Sequence, residues 1–318
     1  MKLSARIVTG KNRISHSAKP YYSPSPDLVI LWEWEYDDDF VFYLAAAARR
    51  RSLATQIYAP AQLPAFLHTC SREDYAPRMV IDRASDVHSA LRPALDALVK
   101  RGSKIINEPA RVDWCRDKAT MHLELVSSGI NVPYGIIASR HDSAEATFSL
   151  AMEKLGLPFV IKPSEGGGGE GVILDASSPG HITEALKKSP TGKVVLQKKV
   201  TPQLLQDRRA WFRVFYILDL ITLCWWDDLT HLYGPCAEKE IPEENLAQMQ
   251  QIVTHIARKT QIHFFSTEIA IDHDGSLQVI DFVNEICDMR MRSRHANGVP
   301  DALVMKIVNR LIDHCARL

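Results

Sequence analysis

Short apolar runs alternate with amphipathic stretches over the first third of the chain. The apolar runs predict buried strands at Asp27–Glu33, Thr55–Tyr58, Met79–Ile81 and Lys104–Ile106. The stretches between them predict helices at Phe40–Arg51 and Val87–Arg101. Strands that alternate with helices are typical of a parallel sheet. We therefore predict an N-terminal α/β domain over residues 1–107, in which the polar stretch at residues 1–26 forms an arm or a loose strand.

The pattern changes after Asn107-Glu108-Pro109, where helices become separated by paired strands. Helices are predicted at Ala119–Ser128, Asp142–Leu155, His181–Lys188, Pro242–Thr260 and Pro300–Arg317. Strands are predicted at Tyr134–Ala138, Pro158–Ile161, Val172–Leu174 and Lys193–Leu196. Two hairpins follow, one over Ala210–Trp226 and one that joins Phe264–Ile271 to Leu277–Val283 through an Asp272–Gly275 turn. The fold class is therefore α/β throughout.

Composition narrows the function without identifying it. The chain has 318 residues, enough for roughly two domains. Its 38 basic and 38 acidic residues cancel, so nothing indicates binding to nucleic acid or to a membrane surface. Six scattered cysteines without a CxxC pair indicate reduced thiols and a cytoplasmic location. The acidic run at Asp37–Asp39 and the arginines at its far end are explained by helix-end electrostatics.

A glycine-rich loop is the clearest chemical signal. A strand delivers Lys162, and the loop that follows contains Gly166, Gly167, Gly168 and Gly169 before the return strand. Backbone N–H groups of such a loop can close on a phosphate, and a lysine adds a point charge suited to it. The alternative is a plain hairpin tip, because glycine runs also mark ordinary turns.

Taken in order, the motifs of residues 105–305 resemble the ATP-grasp superfamily, and those nearest the glycines resemble its glutathione-synthetase-like branch. The set comprises Asn107-Glu108-Pro109, Asp117-Lys118, Gly129–Pro133, Val160–Pro163, the glycine loop, Leu196–Lys198, Phe212–Val214, Thr267–Ile269 and Ile280–Asn284. The resemblance implies a central lobe over residues 108–196 and a C-terminal lobe over residues 197–318. ATP would lie between the two lobes.

The resemblance also assigns nucleotide contacts. Lys118 and Lys162 resemble the two phosphate-contacting lysines of the family. Gln197, Lys198 and Val200 resemble the hinge that reads adenine through backbone groups, which explains why a lysine is tolerated where many relatives carry an acid. The ribose contact stays open, with Gln206 or Asp207 as candidates.

Mg²⁺ is the expected metal, held by Glu268, Asp281 and Asn284, because it prefers oxygen ligands shared with substrate phosphates. Most relatives have an acid two residues before the Asn, whereas Asp281 is three before it. Strict alternation would place Asp281 and Asn284 on opposite faces of the strand. A bulge near Phe282-Val283 would reconcile them, and Glu285 is the alternative ligand.

Arg213 resembles a family arginine that contacts the transferred phosphate. Arg292, which stands between Arg290 and Arg294, is expected to bind a substrate carboxylate through forked donors, and a solvated basic loop is the alternative.

The reading favoured by the whole pattern is an ATP-dependent carboxylate–amine ligase that acts through an acyl phosphate on a small amino-acid-like or peptide substrate. The alternatives are a kinase of the same fold that phosphorylates a hydroxyl, and a non-catalytic nucleotide-binding module. The sequence identifies neither the carboxylate nor the amine, and it leaves the oligomeric state open.

Overall fold

The computed structural model describes residues 25–318, so the polar stretch at residues 1–24 lies outside it. The first strands form one parallel sheet in the order β2-β1-β3-β4. They are β1 (Leu28–Trp32), β2 (Thr55–Tyr58), β3 (Met79–Arg83) and β4 (Lys104–Ile106). Helices α1 (Asp38–Arg50), α2 (Leu63–Cys70) and α3 (Arg92–Lys100) connect them. The parallel N-terminal sheet predicted from the sequence is present.

Strand β1 is a continuous apolar run because both faces of its sheet are covered. Leu28 and Ile30 pack in a cluster with residues of α1. Val29 and Leu31 point the other way, into a cluster with residues of α2 and α3. The sheet is therefore a layer with helices on both faces, and loops follow the carboxyl ends of its strands.

A second, four-stranded antiparallel sheet in the order β5-β8-β6-β7 forms the central lobe. Its strands are β5 (Gly135–Ser139), β6 (Phe159–Pro163), β7 (Ile173–Ala176) and β8 (Lys193–Gln197). Its helices are α6 (Ala144–Leu155) and α7 (Pro179–Lys188), and two helices precede them, α4 (Pro109–Arg116) and α5 (Lys118–Ser127). Val112 of α4 and Met121 of α5 pack with the core of the next lobe rather than with this sheet.

The C-terminal lobe holds a five-stranded sheet in the order β13-β12-β11-β14-β15. A small hairpin precedes it, formed by β9 (Leu204–Leu205) and β10 (Arg208–Arg209). The sheet contains β11 (Trp211–Ile217), β12 (Leu220–Trp226), β13 (Tyr233–Gly234), β14 (Phe264–Ile271) and β15 (Leu277–Asn284). Helices α8 (Glu243–Thr260) and α9 (Asp301–Cys315) complete the lobe.

Three helices differ from the sequence predictions, and the two-residue strands β9, β10 and β13 were not predicted. The helix predicted from Val87 begins as a 3-10 turn at Ser89–Leu91, and α3 starts at Arg92. Pro93 accounts for the delay, since a proline fits the first helical turn, where its missing N–H is not needed. Helices α2 and α4 were not predicted. Pro109 likewise begins α4 rather than simply interrupting the pattern.

Asn107 fixes the junction between the N-terminal sheet and the C-terminal lobe. Its side-chain carbonyl accepts hydrogen bonds from the backbone N–H groups of His263 and Phe264, each at 2.9 Å. Its amide nitrogen donates to the Phe264 carbonyl at 2.6 Å. The residue that follows β4 therefore holds the start of β14, the strand that carries Glu268. No helix within residues 25–318 is both long and apolar enough to cross a membrane.

Candidate active site

Two irregularities in the β14–β15 pairing place the predicted acids together. Glu268 pairs with Asp281, and Ser266 pairs with Asn284, with register shifts on both sides of Glu268. Two steps along β14 thus correspond to three along β15, which is the bulge that the spacing of Asp281 and Asn284 requires. Because Ser266 and Glu268 share a face of β14, their partners share that face as well. Glu268, Asp281 and Asn284 therefore lie on one side of the sheet.

Lys162 of β6 reaches across from the central lobe to this hairpin. Ile280 is the extra residue of the second irregularity, since the pairing steps from Asp281 to Val279 opposite consecutive residues of β14. Its carbonyl oxygen accepts a hydrogen bond from Lys162 Nζ at 2.8 Å. Burial lowers the pKa of Lys162, and the charges of Asp281 and Glu268 oppose that shift. The lysine is thus placed between the lobes, beside both predicted metal ligands.

Arg213 lies on β11 directly opposite Glu268 in the sheet. Its Nη2 donates to Glu268 Oε1 at 2.5 Å, and its Nη1 is 3.6 Å from Asp281 Oδ2. Burial opposes the charged form, but the carboxylates of Glu268 and Asp281 outweigh it, so the pKa of Arg213 is raised. Its Nε and Nη1 are buried without a hydrogen-bond partner among the described residues. Donors therefore remain for an anion at this point.

Two tryptophans that the sequence analysis did not assign to the site contact these charged groups. Trp211 Nε1 donates to Glu268 Oε2 at 3.1 Å, so both oxygens of this carboxylate are bonded. The Trp226 ring centroid is 4.7 Å from the guanidinium carbon of Arg213. Trp211 lies on β11, next to the strand of Glu268, and Trp226 lies one strand further away, on β12. Alternation along Trp211–Arg213 was the one signal that could have indicated Trp211.

The glycine loop joins β6 to β7 and is exposed from Glu165 to Glu170. Gly166, Gly168 and Gly169 have φ values of 114°, 61° and 77°, a region that side chains with a Cβ rarely adopt. Lys118, the first residue of α5, donates its backbone N–H to the Ser164 carbonyl at 2.6 Å and its Nζ to the Gly166 carbonyl. The two predicted phosphate lysines thus flank one loop.

Asp117 holds the start of α5 beside this loop. Its side chain accepts hydrogen bonds from the backbone N–H groups of Ala119 and Thr120, as an N-cap does. It also forms an ion pair with Lys193 at 2.5 Å. Lys193 lies on β8, so the cap ties α5 to the sheet of the central lobe and keeps Lys118 in place.

The predicted hinge runs from the end of β8. Gln197 is buried, and its Nε2 has no hydrogen-bond partner among the described residues. The backbone N–H of Lys198 donates to the Tyr134 carbonyl at 2.9 Å, so that group is not free to read a base. Val200 packs against an apolar cluster that contains Trp211 and Ile280. The hinge therefore offers the unpartnered side-chain amide nitrogen of Gln197 and an apolar surface beside Val200.

Gln206 and Asp207, the two ribose candidates, form the turn between β9 and β10. Both have a positive φ, 50° for Gln206 and 61° for Asp207. Both side chains are exposed. Asp207 suits this turn because Asp tolerates the left-handed region better than most residues. A ribose contact from either residue stays a prediction.

Glu285, the alternative metal ligand, is the residue that follows β15. Its Oε1 is 3.8 Å from Nε of Arg116. Burial raises the pKa of Glu285. Within residues 25–318 no three His, Cys, Asp or Glu side chains converge closely enough to hold a metal ion by themselves. A metal at Glu268 and Asp281 would thus need further ligands from Asn284 and from a substrate.

The three arginines after β15 have different surroundings. Arg290 donates from Nε and Nη2 to Asp288 at 2.9 and 2.7 Å. Nε of Arg294 is 3.9 Å from Oδ1 of Asp39. Arg292 is exposed and donates from Nη1 to the Tyr233 carbonyl at 3.0 Å.

In the part of the chain that is described, Arg292 alone of these three forms no ion pair. Its guanidinium keeps donors for a carboxylate, and the binding of a substrate carboxylate there stays a prediction.

No family model and no curated protein sequence matches the chain. Solved structures do match. The ATP-grasp ligase PsnB, complexed with minimal precursor, Mg and ADP, has a TM-score of 0.64 at 16% identity, over 92% of this chain and 97% of its own. The D-alanine–D-alanine ligase from Bacillus anthracis has a TM-score of 0.63 at 12% identity, over 91% of this chain and 97% of its own.

The D-cycloserine synthetase DcsG is also similar, with a TM-score of 0.60 at 12% identity, over 91% of this chain and 99% of its own. At these identities the likeness is one of fold. The chain therefore has the ATP-grasp fold, with a parallel sheet followed by two lobes, as the resemblance implied.

Proposed function

We propose that the protein is an ATP-dependent carboxylate–amine ligase that forms ADP and a C–N bond. One observation carries the proposal. The bulged strand β15 brings Glu268, Asp281 and Asn284 to one face, and Lys162 and Arg213 lie beside them. Two carboxylates and an amide oxygen next to two cations form a set suited to a metal-bound polyphosphate, because oxygen ligands hold Mg²⁺ and cations offset phosphate charge.

The residues present fit ATP as a substrate. Lys118 bonds to the glycine loop at Gly166, Lys162 precedes the loop and reaches the Ile280 carbonyl, and the loop's glycines adopt backbone conformations that leave N–H groups free of Cβ obstruction. The buried, unpartnered Nε2 of Gln197 is a donor for the base, and Val200 supplies apolar surface against which the ring would pack. In this arrangement the phosphates would lie toward Arg213 and the base toward the hinge.

The residues also fit Mg²⁺, held by Glu268, Asp281 and Asn284 with phosphate oxygens completing its ligands. When bound, the ion would supply charge stabilisation to the phosphoryl group. Arg213 would hold Glu268 in place through its 2.5 Å hydrogen bond. The unpartnered Nε and Nη1 of Arg213 would donate to the transferred phosphoryl oxygens.

The proposed reaction has two steps. A substrate carboxylate oxygen takes the γ-phosphoryl group of ATP, which gives an acyl phosphate and ADP. An amine nitrogen then attacks the acyl carbon, the C–O bond to phosphate breaks, and the nitrogen loses a proton. Positioning and charge stabilisation are the enzyme's contribution, and closure of the glycine loop would exclude water from the acyl phosphate.

The substrate class is proposed from two sources. Arg292 has guanidinium donors free of any carboxylate among the described residues, which suits a substrate carboxylate. The structures of similar fold include a ligase with a peptide precursor and a D-alanine–D-alanine ligase. We therefore propose an amino acid or a peptide as the carboxylate and a small amine as its partner, both free in solution in the cytoplasm.

A screen of amino-acid and dipeptide pairs tests the proposal. Purified protein with Mg-ATP is expected to release ADP and phosphate in equal amounts only when both partners are present. Omission of Mg²⁺ and the variant Asp281→Asn serve as controls, and both should abolish release. A product in which phosphate stays bound to a hydroxyl would make the protein a kinase. Tight nucleotide binding with no turnover for any pair would favour a binding module.

A further inference from the structure

A second cavity lies on the other side of β11 and β14 from the proposed active site, where the N-terminal sheet meets the C-terminal lobe. It has a volume of about 360 Å³. Its lining residues come from β4, α4, β11, the end of α8 and the residues just after it. They include Lys104, Glu108, Arg111, Tyr216, Arg258 and His263. None of them belongs to the proposed nucleotide or metal site.

The charge that lines this cavity is not balanced. Lys104, Arg111 and Arg258 are basic, and Glu108 is the one acid in the lining. None of the three basic side chains forms an ion pair with any residue from 25 to 318. The first 24 residues contain no Asp or Glu, so they supply no counter-charge either. The cavity therefore keeps an excess of positive charge.

Lys104 has a neutral partner instead of an acid. Its Nζ is 2.7 Å from Nε2 of His263. Burial, the charge of Lys104 and that of His314 lower the pKa of His263 to about 4, so the ring is neutral near pH 7 and accepts the hydrogen bond. Burial also lowers the pKa of Lys104, and the charge of Glu108 opposes that shift. A half-buried ammonium that forms no ion pair is unfavourable, and an anion bound beside it would reduce that cost.

We propose that this cavity binds a phosphate monoester, with the phosphoryl group among Lys104, Arg111 and Arg258. A phosphate monoester carries roughly −1.5 to −2 charges near pH 7, which matches the excess of positive charge. Arginine donors suit phosphate through their forked geometry, and lysine adds a point charge. The volume is that of a site for a small metabolite.

Because of where the cavity lies, a bound phosphoryl group would contact three different elements. Lys104 belongs to the N-terminal sheet, Arg111 to α4 and Arg258 to the last turn of α8. A single phosphoryl group among them would tie three elements together. Tyr216, which also lines the cavity, is on the same strand as Arg213. Occupancy is therefore expected to stabilise the junction that positions β11 and β14.

Binding of inorganic phosphate and of phosphoserine, measured by calorimetry on the full chain, tests the proposal. Arg258→Gln should weaken binding by about tenfold or more, since a hydrogen bond to a charged group contributes that much. Arg50→Gln is the matched control, because Arg50 is also an exposed arginine in the last turn of a helix and lies outside the cavity. Lys104→Gln should weaken binding further.

A second readout separates this cavity from the space between the lobes. Histidine NMR should show that the pKa of His263 rises when phosphate is added to the parent protein and not when it is added to Arg258→Gln. Loss of phosphate binding in Lys162→Met with retention in Lys104→Gln and Arg258→Gln would overturn the proposal, because the anion would then bind at the nucleotide site. Absence of binding of either probe to the parent protein would overturn it as well.

Discussion

Charge in the candidate active site is balanced between two cations and two carboxylates. Arg213 contacts Glu268 and approaches Asp281, while Lys162 lies against the carbonyl of the bulged residue Ile280. Buried charges are tolerated only when they are paired and hydrogen-bonded. Each side chain of this group therefore supports the charged state of the others, and removal of one charge should disturb the site and also lower the stability of the fold.

Asp281 and Glu285 provide a test at the scale of single residues. Asp281→Asn keeps the volume of the side chain but removes the charge beside Arg213, so turnover should fall by about a hundredfold or more. Glu285→Gln should retain most of the activity, because Asp281 and not Glu285 pairs with Glu268, and burial raises the pKa of Glu285 toward the neutral form.

Steady-state ADP release over a range of Mg²⁺ concentrations provides the measurement. A near-normal Asp281→Asn enzyme, or a dead Glu285→Gln enzyme, would move the metal site to the alternative residue.

Sequence reasoning reached these residues but could not fix their geometry. The apolar pattern of β15 is compatible with a bulge at several positions, because Phe282 and Val283 are both buried. The structure resolves this through two irregularities, one at Ile280 and one between Asp281 and Asn284. Thr267 contributes to the second, since its hydroxyl donates to the Asp281 carbonyl at 2.6 Å. The sequence of one strand does not indicate such a contact with its neighbour.

The glycine loop is exposed and contains backbone conformations that favour glycine. Gly167 and Gly168 are adjacent, exposed, and surrounded by open space, so a methyl group would touch nothing at either position. They differ in backbone conformation, because Gly168 has a φ of 61° and Gly167 has no positive φ. This pair allows backbone strain to be separated from steric contact.

Gly168→Ala should therefore impair catalysis more than Gly167→Ala. The left-handed conformation costs a residue with a Cβ about 1–2 kcal/mol, so the loop of Gly168→Ala should favour another conformation and bind Mg-ATP up to roughly tenfold less tightly. Nucleotide affinity by fluorescence titration and the unfolding temperature are the measurements. Equal affinities for the two variants would show that the loop does not need its left-handed backbone, and a lowered unfolding temperature would point to a structural effect instead.

At the scale of elements, the periodicity of apolar residues predicted most strands and the long helices, but it missed two short helices. Helix α2 (Leu63–Cys70) and helix α4 (Pro109–Arg116) are brief and each contains a proline in its first turn. A proline usually suggests an interruption, although it fits the first helical turn well. Short helices also depend on tertiary packing rather than propensity. The apolar positions of α4, such as Val112, pack in the core of the C-terminal lobe, which local patterns cannot show.

The whole molecule is held together by a core that joins its two ends. Leu28 and Ile30 of the first strand lie in one apolar cluster with Val304, Val308 and other residues of α9. The sequence predicted both elements but not their contact, because amphipathicity shows which face of α9 is buried and not what covers it. The domain boundaries at residues 107 and 196 also stay predictions.

A buried ion pair lies at this junction. One of its members is Asp37, which the sequence alone explains by helix-end electrostatics, together with its two neighbours. Its side chain is instead fully buried and accepts hydrogen bonds from Arg83 Nε and Nη2 at 2.7 and 2.8 Å. Arg83 Nη2 also donates to the Cys287 carbonyl at 2.8 Å, just beyond β15. The pair therefore joins the N-terminal sheet to the segment that follows Asn284.

Asp37→Ala should destabilise the protein by about 3–5 kcal/mol, because it leaves the Arg83 guanidinium buried without a counter-ion. The control is Asp313→Ala, which breaks an exposed ion pair between α9 and Arg51, the residue that follows α1; it should cost at most about 1 kcal/mol. Urea unfolding of the full chain gives both values. The double variant Asp37→Ala/Arg83→Met should recover part of the loss, since it removes the unpaired charge along with its partner. If the double variant is no more stable than Asp37→Ala, packing rather than charge would account for the loss.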